Sequence, residues 1–198
     1  IGGEHLMPVG LAAFQKLHPE TSVLVSITKC EQIFSGLQTG DFDIGITGQP
    51  PNQNSLHKTK LFDTPLVIFQ AGAKKLSDEK ITNLKKLQKA GLILREKDSG
   101  CRVAFENFLV KNSVHLKDFS IISESDSNQA IHNLVKNGWG ISVLPEFMIQ
   151  KEIDDGIFSE IRLQEGRPKM TFYLSCRNQN HPSKTIQEFI ATLKRHVP

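Results

Sequence analysis

Cysteine is scarce in this chain and long apolar runs are missing. Cys30, Cys101 and Cys176 are the only three cysteines in 198 residues, odd in number and far apart. That excludes a disulfide framework as the basis of the fold and suits a reducing compartment. Nothing approaches the roughly 18–20 consecutive apolar residues of a membrane-spanning helix, and no basic-then-apolar leader opens the chain. The seven histidines are scattered (His5, His18, His57, His115, His132, His181 and His196) and form no spacing suited to zinc. No G-x-S-x-G elbow or Walker-type loop occurs. A charge excess is lacking too: 24 basic against 21 acidic side chains leave +3, too mild to argue for nucleic acid. These absences predict a soluble cytosolic protein with no metal, no cofactor, no membrane partner and no catalytic residues.

Present instead is an ordinary globular composition, 38% hydrophobic with 12 Phe, in which helix and strand patterns alternate from end to end. This predicts an α/β fold with largely parallel strands. Glu4–Leu17 has a helical apolar face of Leu6, Leu11, Phe14 and Leu17, with Pro8 in its first turn. Ser22–Ile27, rich in β-branched residues, predicts a strand. Cys30–Gln38 predicts a short helix ended by Gly40. Strands are expected at Asp43–Thr47, Pro65–Phe69, Leu92–Arg95, Phe119–Ser123, Ile141–Leu144, Ile157–Leu163 and Met170–Cys176. Helices are expected at Arg102–Lys111, Asn128–Lys136, Glu146–Lys151 and Ser183–His196, the last capped by Ser183. The lysine-rich 71–89 stretch suits a connection and a surface helix.

This order predicts two Rossmann-like lobes joined by a hinge: residues 1–70 with 169–198, and residues 71–168. Crossings are expected near Gln70–Gly72 and Pro168–Met170. Ligands of such folds lie at the carboxyl ends of the strands. Two strand–turn–helix units stand out, GLILREKDSGCRVAFENFL and QAIHNLVKNGWGISVLP. Helix N-termini of this kind offer unpaired N–H groups to a small anion.

Five stretches in order, IGGEHLMPVGLAAFQKLHP, GLQTGDFDIGITGQP, LILREKDSGCR, SNQAIHNLVKNGWGISVLPEFM and MTFYLSCRNQNHPSKTIQEFIATL, resemble the effector-binding (substrate-binding) domain of LysR-type transcriptional regulators. The resemblance covers nearly the whole chain and implies a fold like that of type 2 periplasmic solute-binding proteins. It also implies that the N-terminal winged helix-turn-helix of the family, and a strand directly before the first stretch, lie outside this sequence. Promoter DNA would then be a partner of the longer protein alone.

By that resemblance the effector contacts would be Gly2, Gly3, Lys29 and Cys30 in one lobe, and Ser99, Gly100, Ser127 and Asn128 in the other. Cys30 departs from the Ser or Thr usual in the family. Thr47 and Gln49, just past a strand's carboxyl end, are further cleft positions. Each has a plainer reading. Ser99 and Ser127 suit N-caps, Lys29 a solvated surface, and Trp139 a partly buried turn. Arg95 and Arg102 could pair with Glu96 or Glu106. Cys30 and Cys101, at helix entrances, would be thiol sensors if their pKa were depressed.

The resemblance implies a small anionic effector and a homodimer built through Glu31–Gln38 and the helix after Ser127. LREKDSGCR is most similar to members concerned with sulfur and related anions. A stand-alone solute-binding protein serving a transporter is the alternative.

Overall fold

The protein, seen here as a computed structural model, is described over residues 2–72, 81–177 and 183–196. A π-helical turn at Gly2–Leu6 runs into helix α1 (Met7–Leu17), with Pro8 in its first turn as expected. Helix α2 (Cys30–Thr39) follows and closes on Gly40 at φ +90°, a left-handed cap that glycine adopts without strain. Then come β1 (Gly45–Thr47), the long β2 (Leu56–Ala71), β3 (Ile81–Thr82), α3 (Leu84–Leu87), β4 (Leu92–Arg95) and α4 (Gly100–Lys111). After these lie β5 (Ile121–Ser125), α5 (Asn128–Lys136), β6 (Ile141–Pro145), α6 (Gln150–Asp154), β7 (Phe158–Leu163), β8 (Lys169–Arg177) and α7 (Lys184–His196).

Two compact units divide the chain: Ile1–Asp63 with Thr171–Pro198, and Thr64–Met170. The chain passes between them inside β2 and inside β8. In the first unit β1 lies antiparallel to β8, with Gly45 opposite Ser175. Helices α1 and α7 pack together: Phe14 meets Phe189 edge-on at 5.3 Å, and a Cβ on Gly10 would come within 2.4 Å of Leu193. Phe34, Leu37 and Leu56 form a second apolar cluster.

In the second unit the strands run β3–β7–β2–β6–β4–β5. Strand β4 is paired in parallel with β6 on one side and β5 on the other, while β2 is antiparallel to both β6 and β7. Phe69, Ile93, Ile131, Val135, Leu144 and Phe158 form its core. Phe105 and Leu109 of α4, expected inward from their spacing, are fully buried.

Four expectations need correction. The sheet is mixed, because β2 runs against both of its neighbours in the second unit. Strand Phe119–Ser123 sits two residues later, since Leu116–Asp118 forms a 3-10 turn that takes up Phe119 as its cap. Ser22–Ile27 forms no strand. A strand needs a partner as well as β-branched residues, and none of the described residues bonds to its backbone. Val23, Leu24, Val25 and Ile27 are consequently exposed, Leu24 at 90%. Trp139, expected to be partly buried, is 64% exposed.

Candidate functional site

In the second unit, adjacent parallel strands β4 and β5 end in register, Arg95 beside Ser125, and the Glu96 N–H donates to the Ser125 carbonyl at 3.1 Å. Helices α4 and α5 therefore begin at the same end of the sheet. This is where a doubly wound sheet presents helix N-termini to a ligand. Ser99 occupies the N-cap position of α4 in extended conformation, yet its side chain makes no capping bond to the helix. It is buried, and its hydroxyl is hydrogen-bonded to the Cys101 thiol. Gly100, also buried, opens the helix. Ser127 behaves differently: its Oγ accepts from the Ala130 N–H at 3.2 Å, so it caps α5. Its own N–H donates to Ser125 Oγ at 3.1 Å.

Two buried arginines brace these entrances, and both form the pairings anticipated for them. Arg95 donates to both oxygens of Glu96, at 2.8 and 2.9 Å, and also to Asn128 Oδ1. The first residue of α5 is thereby tied to the last residue of β4. Arg102 donates to Glu106 at 2.8 Å, to the Arg95 carbonyl at 3.0 Å, and pairs with Glu124 at 3.0 Å. Burial opposes its charge, but the Glu106 and Glu124 carboxylates outweigh it and push the guanidinium's pKa up. The Arg95–Asn128 link escapes sequence reading because 33 residues separate the partners.

The first unit gathers its own predicted residues. A Cβ on Gly2 would lie 2.8 Å from Ile46 Cγ2, and one on Gly3 would lie 3.1 Å from Ile27 Cγ1. The approach at Gly2 is too close for a side chain without a shift of Ile46, and that at Gly3 is tight. Lys29 is exposed and precedes α2, with its backbone N–H directed at Gln32 Oε1 at 3.4 Å. Cys30, half-buried, is the first residue of α2. Thr47, buried at the end of β1, donates its hydroxyl to the Gln49 carbonyl at 2.7 Å. Gly2 and Thr47 thus flank the same stretch of β1, while Gly3 packs two residues before Lys29.

The thiol-sensor expectation fails for Cys101. It has no exposed surface, its Sγ lies 3.6 Å from Met170 Sδ, and burial pushes its pKa up to about 12. Desolvation defeats whatever the helix terminus offers. Among the described residues no group of three or more His, Cys, Asp or Glu side chains could hold a metal ion, and no helix is long and apolar enough to cross a membrane.

Known proteins share this fold. A family model described as the LysR substrate binding domain matches residues 1–198. The transcriptional activator CmpR of Synechocystis is 27% identical over 98% of this chain and 63% of its own length. The regulator CysL of Bacillus subtilis is 29% identical over 97% of this chain and 63% of its own. This chain thus spans under two thirds of the length of either relative. Among solved structures, the Synechocystis CcmR regulatory domain in complex with 2-PG is similar at a TM-score of 0.84 and 26% identity, covering 98% of this chain and 91% of that one.

Proposed function

Since this chain belongs to the LysR substrate-binding domain family, we propose that it is the effector-sensing part of a longer transcriptional regulator. It takes up a small anionic metabolite and has no catalytic role. Promoter DNA is read by a domain outside this chain, and the regulator works as a cytoplasmic homodimer. The relatives named above are regulators, and the transporter alternative finds no support among them. The CcmR regulatory domain, in complex with 2-PG, is a precedent for a small ligand on this fold.

The observation that carries the anion reading is the shared end of β4 and β5. Two helices start there side by side, and the cation between them is already paired. Arg95 is satisfied by Glu96 and Asn128, so the incoming charge is met by first-turn amides and helix dipoles, which carry roughly half a positive charge at each N-terminus. Ser99, with no capping duty, is the hydroxyl best placed to contact the ligand. Gly100, Ser127 and Asn128 complete this set, and Gly2, Gly3, Lys29, Cys30 and Thr47 are the proposed contacts in the first unit.

Thermal-shift screening against sulfate, phosphate, O-acetylserine, 2-PG and small dicarboxylates tests the reading. One of these anions is expected to raise the melting temperature by a few degrees, and Ser99→Ala to reduce that gain. Equal gains in the two proteins would refute the Ser99 assignment.

A further inference from the structure

Ser99, Cys101 and Met170 form a buried chain of hydrogen bonds in the second unit, at the entrance of α4. Ser99 is 6% exposed, Cys101 0%, and Met170, near the start of β8, 3%. The Cys101 thiol donates to Met170 Sδ at 3.6 Å, and the Ser99 hydroxyl is hydrogen-bonded to the same thiol. The sense of each bond follows from counting protons. A thioether carries none and can only accept, whereas a thiol carries one. Burial keeps that proton on Cys101 at any ordinary pH, its pKa being pushed up to about 12. With the thiol proton directed to Met170, only Ser99 can supply the proton of the second bond. The Ser99 hydroxyl proton therefore points inward, and its oxygen lone pairs are what it offers a ligand.

The amides beside it have the opposite character. The Val103 N–H bonds back to the Ser99 carbonyl at 3.0 Å, whereas the N–H groups of Gly100, Cys101 and Arg102 precede that first helical bond. The entrance of α4 thus combines N–H donors with one hydroxyl acceptor. Resting on the effector reading above, we propose that Ser99 accepts a hydrogen bond from the effector, and that Cys101 and Met170 are the positioning residues that fix it in that sense. The effector class narrows accordingly, to an anion that carries its own hydroxyl, ammonium or acidic proton beside the charged group. Its charge is met by the amides and its proton by Ser99. An anion without a proton would instead set an oxygen against the Ser99 lone pairs, leaving two acceptors face to face in a buried place.

The test pairs anions that differ in a donor: hydrogenphosphate against sulfate at mildly alkaline pH, and malate against succinate, each by titration calorimetry at equal ionic strength. In whichever pair binds, the donor-bearing member is expected to bind about tenfold tighter or more. Met170→Leu is a volume-conserving change in a buried place. It leaves the thiol to donate to Ser99, whose own proton then turns outward, so the preference should fall to about threefold or less. Cys101→Ala should lose the preference in the same way. Infrared spectroscopy of the ligand-free protein gives a second reading. The Cys101 S–H stretching band, isolated by difference from Cys101→Ala, should shift in Met170→Leu and stay nearly in place in Ser99→Ala. The reverse pattern would mean that the thiol donates to Ser99, and would overturn the proposal. So would equal affinities within a pair, which would leave the effector reading intact. No response to any of the four anions would overturn both.

Discussion

At the scale of single residues, chemistry in the second unit is governed by burial. Cys101 and Arg102 are neighbours in sequence and both buried, yet they carry opposite consequences. Below pH 9.0 the Cys101 thiol keeps its proton in folded and unfolded chains alike and does not affect their balance. Above it the unfolded chain loses the proton while the buried thiol holds it up to about 12. The fold therefore binds more protons, and stability falls as pH rises through that window. Cys101→Ser should flatten this alkaline loss in a denaturation series, and Cys101 in the native protein should resist a thiol reagent that modifies Cys30. Arg102 is bound on three sides by Glu106, Glu124 and the Arg95 carbonyl. Arg102→Ala removes charge-assisted bonds from a buried position, at a cost of about 2 kcal/mol. Urea titration measures it, and a loss below about 0.5 kcal/mol would mean the brace is ornamental.

At the scale of elements, two serines with the same sequence credentials do different work. Both precede a helix and both suit an N-cap. Ser127 caps α5, whereas the Ser99 hydroxyl turns to Cys101. Ser127→Ala should cost about 1 kcal/mol of stability, and Ser99→Ala much less, with its effect appearing in ligand response. Equal costs by thermal denaturation would contradict this division. Elements were legible in the sequence where local signals sufficed: β4 at Leu92–Arg95 and α5 at Asn128–Lys136 fall where their patterns place them. The N-terminal half of β2 was not legible. His57, Lys58, Lys60 and Asp63 give it a polar cast, and only its pairing makes it a strand. Ser22–Ile27 shows the converse, a strand composition without a ladder.

At the scale of the whole molecule, effector binding is a linkage effect. A ligand that binds only the folded chain stabilises it by about 2.7 kcal/mol at a hundredfold excess over its Kd. The melting-temperature gain in the screen should therefore grow with ligand concentration and differ between anions at equal ionic strength, while an equal gain with every anion would point to a general salt effect.

Sequence alone determined the alternating helices and strands, the inward faces of α4 and α5, and the family. Apolar spacing, caps and glycine turns are local, and five motifs in order are a property of the chain itself. Tertiary structure decided which strands run against one another and which serine caps its helix. It also decided that Arg95 meets Asn128 and that Cys101 keeps its proton. Each of these depends on what a residue finds beside it after the chain has folded, and neighbours dozens of positions away set burial, pairing and charge in ways that no local pattern encodes.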